Sequence, residues 1–346
     1  MKLELSPRDR SSFDRLMHTA ALNNVAIELY SSYLNFTPRF VTRELMDDIS
    51  AGVDRESMQY AYAALLAAAM GLDTEKKAMD RAFFRNYVIP SVTMLDPGSY
   101  VCDPYYQNVK LKRVKFKDWE LTCRSYEPFE AFIWRSTACE VDGREIPQLG
   151  FFENKFEFPA VLQNGREWMT VTPNEIETMR APIAAAKGKV VTFGLGLGYF
   201  AYMAARKDEV ESVTVVERDR DVIALFSDYI LPQLECREKI KVICADAFDF
   251  AENTRPNSDF DFAFADIWHD AGDGLELYAR MRRLEELSPK TEFAYWIEDS
   301  LLCQLRRIIS AELDSGDGAT LRNYSEVAEL LTDNSLRELA KSLQKA

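Results

Sequence analysis

The chain has 346 residues, of which 47% are hydrophobic and 28% charged, and its formal net charge is −14. This apolar content excludes an intrinsically disordered protein, and the length allows about two domains. The acidic balance argues against a protein whose main task is to bind nucleic acid, because phosphate backbones attract basic surfaces.

Targeting and metal-binding patterns are both weak. The start, MKLELSPRDR, has charges and a proline where a secretory signal needs an apolar run. The longest apolar segment, 60–72, is shorter than the roughly 20 residues of a membrane-spanning helix. Six cysteines form no CxxC pair and only two histidines occur, which argues against a zinc site or a disulfide framework. We therefore expect a cytoplasmic protein that does not associate with membranes.

Residues 1–104 have the pattern of a helical domain. Apolar residues recur at helical spacing over 13–20, and the segment 58–70 continues in this way with almost no β-branched residues. Gly71 is placed to end that helix. Such a domain could cover the site of a small-molecule acceptor, dock a partner or form the interface of a homodimer, and the sequence leaves these roles open.

The residue pattern changes from helical to strand-like over 105–171. Short runs rich in Val, Phe, Trp and Thr, separated by turn signals such as Glu127–Pro128 and Asp142–Gly143, predict a small antiparallel sheet. Basic residues concentrate in 110–117. They could contact an acidic substrate or nucleic acid, but in an acidic chain we favour a solvated strand face or a protected sheet edge. The phenylalanines of 151–158 are spaced as core residues.

From 172 to 346, strands and helices alternate. The predicted strands are apolar on both faces, as expected for a parallel sheet that helices cover on both sides. They span 189–194, 212–217, 240–244, 260–266 and 291–297. The predicted helices span 199–206, 219–229, 248–253, 274–286 and 299–313. The fold class is therefore α/β, a Rossmann-like doubly wound parallel sheet preceded by a helical region and a small antiparallel β region.

A glycine-rich turn follows the first of these strands and leads into a helix. Glycines alternate at Gly194, Gly196 and Gly198, which lets the backbone turn sharply and approach a ligand. The second strand ends at Glu217, where a carboxylate could accept both hydroxyls of a ribose. A dinucleotide fingerprint needs a glycine where Tyr199 stands, so the pattern favours a nucleoside ligand without a pyrophosphate over a nicotinamide cofactor.

The segments VVTFGLGLGYFAY, VTVVERD, ICADAF and FAFADIW resemble successive motifs of class I S-adenosylmethionine-dependent transferases, over about half the chain, 172–313. The resemblance implies that the three glycines shape the loop around the methionine part and the sugar, and that Glu217 binds the ribose. It implies that Asp246 meets the adenine amino group and that Asp266 faces the transferred group. The residues alone leave a second role open for Glu217 and Asp246, which is to cap the helices that follow them.

Within that family, the chain is similar to the spermidine synthase group, whose members carry a small β-domain ahead of the nucleotide fold. Asp266–Gly272 resembles the group's Asp-x-x-Asp-Pro-x-Gly segment. His269 stands where the second aspartate of that segment would take a proton from the attacking amine. The group's amine-binding Asp-Glu pair is poorly matched at Asn174 and Glu175. These departures argue against polyamine chemistry and leave the nucleotide site intact.

The loop after the fourth strand carries the candidate catalytic residues, Asp266 and His269. Transfer from a sulfonium is an in-line displacement that needs an aligned, deprotonated nucleophile, and an imidazole exchanges protons near neutral pH. A metal held by Asp266, Asp270 and Asp273 is disfavoured, since acids just before a helix usually cap it. Trp268 has two open interpretations, which are stacking on a ligand and covering the edge of the sheet.

We predict an S-adenosylmethionine-dependent methyltransferase that acts on a small molecule or a protein side chain. The alternatives are aminopropyl transfer to an amine, with decarboxylated S-adenosylmethionine as donor, and a nucleoside-binding regulatory protein without turnover. Related proteins usually add a β-hairpin after the fifth strand. Residues 314–346 instead have helical patterns, one of them from Ser335, so we expect the sheet to end at five strands.

Overall fold

The computed structural model describes residues 7–50, 54–253, 259–315 and 321–332. The chain divides into two compact units. One unit is Arg15–Thr178, and the other joins Met1–Asp14 to Met179–Ala346. The boundaries fall inside two helices, so each of these helices contributes residues to both units.

The unit Arg15–Thr178 begins with helices. They are α1 (Pro7–Phe36), α2 (Arg43–Ser50), α3 (Arg55–Ala69), α4 (Ala78–Phe83), α5 (Ile89–Ser91), α6 (Gly98–Val101), α7 (Pro104–Asn108) and, at its end, α8 (Pro173–Ala185). Asp54 caps α3 by accepting the Ser57 backbone N–H at 2.9 Å. Gly71 has φ +78° and its N–H bonds to the carbonyl of Ala68, which confirms the predicted end of that helix.

Two small sheets follow within this unit. The strands are β1 (Val92–Met94), β2 (Val114–Phe116), β3 (Trp119–Tyr126), β4 (Phe132–Cys139), β5 (Glu145–Phe151), β6 (Phe156–Gln163) and β7 (Arg166–Thr170). The order β2-β3-β6-β7 is antiparallel throughout, as predicted. A second sheet has the order β1-β5-β4, in which β1 runs parallel to β5. Here a strand from the segment predicted as helical joins the β-rich segment.

The aromatic residues and the basic run of this unit lie where the sequence indicated. The phenylalanines of 151–158 are all buried, and Phe151 stacks on Tyr62 with ring centroids 4.0 Å apart. The basic run contains β2, which is an edge strand. Its Arg113 and Lys115 pair with the carboxylate of Glu120 at 2.5 and 3.6 Å. The prediction of a solvated, edge-protecting face is confirmed.

The second unit is built on a five-stranded parallel sheet. The strands are β8 (Gly188–Phe193), β9 (Val210–Glu217), β10 (Ile240–Cys244), β11 (Phe262–Ala265) and β12 (Glu292–Tyr295), in the order β10-β9-β8-β11-β12. The helices are α9 (Tyr199–Ala205), α10 (Arg220–Leu225), α11 (Ala247–Asn253), α12 (Ala271–Leu284), α13 (Glu298–Ser315) and α14 (Ser325–Thr332). The α/β class is confirmed, and the arrangement is consistent with a Rossmann-like fold. The strand order reverses beside β8, and ligands of open α/β sheets bind at such switch points.

The sheet of the described residues ends at β12, in agreement with the five predicted strands. After α13, the helix α14 packs on α12, where Arg283 pairs with Glu326 and Glu329. The helix predicted from Ser335 lies outside the described residues. Within the described ranges, no helix combines the length and the apolar character that crossing a membrane would require.

Candidate functional site

The glycine turn connects β8 to α9 at the carboxyl edge of the sheet. All three of its glycines have positive φ, +98° at Gly194, +50° at Gly196 and +75° at Gly198. The Gly194 N–H bonds to the carbonyl of Val216 at 2.9 Å, and the Gly198 N–H closes the turn on the carbonyl of Leu195 at 2.8 Å. The turn is therefore tied both to itself and to the neighbouring strand β9.

Two of the glycines are required by close contacts. A β-carbon on Gly194 would overlap the backbone oxygen of Asp266, and one on Gly198 would overlap the ring of Phe226. Because an L side chain is also strained at these φ values, only glycine fits both positions. The contact at Gly194 brings the turn directly against the end of β11, and so joins two residues that the sequence assigned to the site.

Glu217, the last residue of β9, is bound to the glycine turn. Its Oε2 accepts the Leu195 backbone N–H at 3.2 Å, and its Oε1 accepts the Asp219 N–H at 2.8 Å. The cap of α10 is a different acid, because Asp219 Oδ1 accepts the N–H groups of Asp221 and Val222 at 2.8 and 3.1 Å. The capping interpretation of Glu217 is therefore wrong, since its carboxylate connects the second strand to the turn.

Asp246 follows β10, the neighbour of β9, and it does cap a helix. Its Oδ1 accepts the Phe248 and Asp249 N–H groups at 2.9 and 3.1 Å, at the start of α11. The preceding Ala245 N–H bonds to the carbonyl of Glu217 at 3.0 Å, so Asp246 lies at the same sheet edge as the turn. The capping role predicted as the alternative is confirmed, and the contact with adenine stays a prediction.

The loop after β11 begins at Asp266, which is half-buried and donates its N–H to the carbonyl of Phe193 at 2.8 Å. Two further aspartates form a capping box. Asp270 accepts the Asp273 N–H at 3.3 Å, and Asp273 accepts the N–H of Asp270 at 2.9 Å and that of His269 at 3.1 Å. These acids cap α12, and no group of metal-ligating residues is found within the described ranges.

Trp268 points inward from this loop. It is 3% exposed, and its ring stacks on Tyr295 at 6.5 Å between centroids. A β-carbon on Gly274 of α12 would come within 2.7 Å of the Trp268 Cγ atom. The interpretation that Trp268 covers the sheet edge is therefore right. The pair of Trp268 and Gly274 was not predicted from the sequence, although a glycine inside a predicted helix is a signal of close packing.

The structure adds two features at the carboxyl end of β12 that the sequence did not indicate. The Tyr278 hydroxyl donates to Glu298 Oε1 at 2.7 Å, and burial, together with that carboxylate, raises the pKa of Tyr278 far above its ordinary value.

Ile297, which joins β12 to α13, has φ +49°. A buried β-branched residue in the left-handed region is a strained conformation that neighbouring contacts must hold.

The predicted site residues thus share one edge of the parallel sheet. Direct contacts join Gly194 to Asp266 and the glycine turn to Glu217. Asp246 reaches the same edge through Ala245. His269 is exposed, three positions beyond Asp266, and is held through its main chain. A glycine cradle with a carboxylate on the adjoining strand has the parts that a nucleoside requires, which are close backbone approach and an acceptor for sugar hydroxyls.

No protein-family model matches the chain, and no curated protein matches it. Solved structures resemble part of it. A precorrin 8w decarboxylase from Methanobacterium thermoautotrophicum is 19% identical, with 36% of this chain and 63% of that chain covered and a TM-score of 0.27. A spermidine synthase from Thermotoga maritima is 19% identical, with 37% and 49% covered and a TM-score of 0.26. A proposed SAM-dependent methyltransferase from Streptococcus mutans is 18% identical, with 39% and 37% covered and a TM-score of 0.29.

In each of these three matches, the chain covers less than two thirds of the solved protein's length. Likeness at these values concerns part of the fold. The function is therefore inferred from the residues of the chain.

Proposed function

We propose that the chain is an S-adenosylmethionine-dependent transferase that moves a methyl group to a small molecule or a protein side chain. The observation that carries the proposal is the contact between Glu217 Oε2 and the Leu195 N–H at 3.2 Å. It fixes a carboxylate against the glycine turn, while Asp219 caps the helix. A carboxylate has about four acceptor positions, and Glu217 uses one for Leu195 and one for Asp219, which leaves capacity for two ribose hydroxyls.

The donor, when bound, supplies an electrophilic methyl group on a positively charged sulfur. The backbone of Gly194–Gly198 would hold the methionine part and the sugar, and Asp246 would border the adenine. Asp266 is fixed by its bond to Phe193, and its backbone lies against the turn. Its negative charge would favour the sulfonium and help to align the acceptor with the methyl carbon.

His269 is the residue we assign to proton transfer. It is exposed at the carboxyl edge of the sheet, on the loop that Asp266 begins. As the acceptor's nucleophile forms its bond to carbon, the carbon–sulfur bond breaks and its electron pair stays on sulfur. His269 takes the proton that the nucleophile loses, either directly or through solvent.

Aminopropyl transfer would use the same displacement at another carbon of a decarboxylated donor. The position that corresponds to the amine-binding acids of spermidine synthases is Glu175. Its carboxylate accepts the Thr172 N–H at 2.8 Å and the Thr170 hydroxyl at 3.1 Å, and burial raises its pKa. Because Glu175 fixes the start of α8 and its charged form is disfavoured, we place methyl transfer ahead of polyamine chemistry.

The proposed partners are a small-molecule acceptor or a protein side chain, without nucleic acid, and a second copy of the chain that binds through the helical region of residues 1–104. Sedimentation velocity of the full chain would test the dimer, and a monomer at micromolar concentration would contradict it. A cytoplasmic location is part of the same proposal.

Calorimetric titration of the full chain with S-adenosylmethionine, S-adenosylhomocysteine and decarboxylated S-adenosylmethionine tests the function. The titration compares the natural chain with the test variant Glu217→Gln and the control variant Asp219→Asn. The glutamine keeps one oxygen for the Leu195 N–H and removes the charge, so affinity should fall about tenfold or more for every donor that binds. Asparagine is a good helix cap, so Asp219→Asn should bind within about twofold of the natural chain.

Tight binding of the first two compounds and weak binding of the third would support methyl transfer. The opposite order would support aminopropyl transfer, and the mass added to an acceptor would identify the group. If none of the three binds, the proposal is wrong. If Glu217→Gln binds as the natural chain does, the ribose role is wrong.

A further inference from the structure

The loop between β11 and α12 is fixed at both ends by its main chain. At the β11 end, Asp266 bonds to Phe193. At the α12 end, Asp270 and Asp273 form the capping box, which also holds the His269 N–H. Of the residues between these points, Trp268 is the buried one, while His269 is exposed. Trp268 is thus the buried side chain between the two candidate catalytic residues, Asp266 and His269.

The Trp268 ring packs against Gly274 of α12. Gly274 has no side chain, and a β-carbon there would lie 2.7 Å from Cγ and 2.8 Å from Cδ1 of Trp268, and 3.1 Å from Leu301 of α13. The ring also stacks on Tyr295 at the end of β12. Any larger residue at position 274 would push the ring and the loop outward, because cores at native density have no room to absorb a methyl group at that distance.

The choice of tryptophan is not explained by packing energy alone. The indole Nε1 of Trp268 is buried and has no hydrogen-bond partner within the described residues. Burying an unpaired donor is costly, and phenylalanine would fill an apolar site without that cost. Residues that break a packing rule of this kind concentrate at sites where function constrains the choice.

We propose that Trp268, packed against Gly274, is a positioning residue that holds Asp266 and His269 at the carboxyl end of β11. This inference rests on the proposed function, because it concerns the two residues assigned to the transfer. Trp268 acts through the loop and does not touch the transferred group. The glycine turn touches Asp266 at Gly194, but Glu217 and the main-chain bonds of Gly194 and Gly198 also hold it, so the affinity for the nucleoside part should change little.

The chain contains only two histidines, His18 and His269, so the imidazole proton resonances of the full chain report directly on the loop. A His18→Gln variant assigns them. In the natural chain, S-adenosylmethionine should shift the His269 resonance more than S-adenosylhomocysteine does, because only the first carries a positive charge on sulfur. Each resonance is followed at fixed pH with the protein saturated by each compound, and calorimetry gives the affinities of the same samples.

In Trp268→Ala, the difference between the two compounds at His269 should disappear, while S-adenosylhomocysteine still binds within about threefold of the natural affinity. Gly274→Ala, which keeps the ring, should also abolish the difference between the two compounds at the His269 resonance. Trp268→Phe should retain much of that difference, since it places a ring at position 268. Circular dichroism and thermal unfolding identify a variant that does not fold, and the other two variants then decide.

An unchanged difference at His269 in both Trp268→Ala and Gly274→Ala would overturn the inference, and so would the absence of any difference in the natural chain. These results are distinct from a failure of the proposed function, in which neither compound binds the natural chain. Equal losses of S-adenosylhomocysteine affinity and of the His269 response would show that Trp268 supports the unit as a whole, and would also overturn the positioning role.

Discussion

The glycine turn and the β11–α12 loop lie at the same edge of one sheet, and the sequence predicted site residues in both. They differ in how strictly the structure limits the type of residue at each position. In the turn, Gly194 and Gly198 occupy conformations and close contacts that no other residue could adopt. In the loop, Asp270 and Asp273 serve a helix cap that many polar residues could provide. Backbone constraint is therefore a more specific sign of a site than a concentration of acidic residues.

The largest expected effect is at the turn. Gly194→Ala should destabilise the unit by about 3 kcal/mol or more, because strain at φ +98° adds to an overlap with the Asp266 backbone oxygen. Urea unfolding followed by circular dichroism measures the change. Gly165→Ala is the matched control, since Gly165 has φ +78° with no atom close to its missing β-carbon, and it should cost only about 1 kcal/mol.

Equal costs at the two glycines would mean that the close approach of the turn to Asp266 does not matter for stability. Backbone constraint would then not distinguish the glycine turn from the β11–α12 loop.

The next effect is at the loop. Asp270→Ala removes the capping box of α12 and should lower the free energy of unfolding by about 1–2 kcal/mol. The affinity for S-adenosylmethionine should stay within about twofold of the natural value, because Asp270 belongs to the cap. Calorimetry and urea unfolding on the same preparation check both values. A loss of affinity much larger than this would show that the loop acids do more than cap.

The smallest effect separates the two roles of Asp246. Serine caps helices about as well as aspartate, but its side chain is too short to reach a ligand. Asp246→Ser should therefore leave stability within about 0.5 kcal/mol of the natural chain. If Asp246 meets the adenine amino group, affinity for S-adenosylmethionine should fall about fivefold, the value of one hydrogen bond. Unchanged affinity would leave Asp246 as a cap alone.

Much of the parallel sheet could be predicted because its signals are local. The strands β8 to β12 are short apolar runs between turn residues, and their observed limits differ from the predicted ones by only a few residues. The place of Glu217 at the end of β9, one strand from the turn, followed from the same alternation. The glycines at alternate positions were readable because their backbone conformation excludes other residues.

The parts that could not be predicted depend on contacts distant in sequence. The strand β1 pairs with β5, where Val92 lies opposite Leu149, 57 residues further along the chain, so nothing near Val92 marks it as a strand. Glu217 bonds the glycine turn, while Asp219 caps α10. Which of the two acids takes which role depends on the direction of their side chains, and the sequence does not give that direction. The left-handed backbone at Ile297 has no sequence signal, because a β-branched residue ordinarily avoids that conformation.

The last strand of the five-stranded sheet bears on how copies of this protein behave when concentrated. In the part of the chain that the structure describes, β12 has only four residues and is paired on one side. Its first residue, Glu292, is exposed and pairs with Lys187 at 3.1 Å. A short edge strand that begins with a charged side chain discourages edge-to-edge pairing between molecules. We therefore expect that a second copy would not associate through this edge of the sheet.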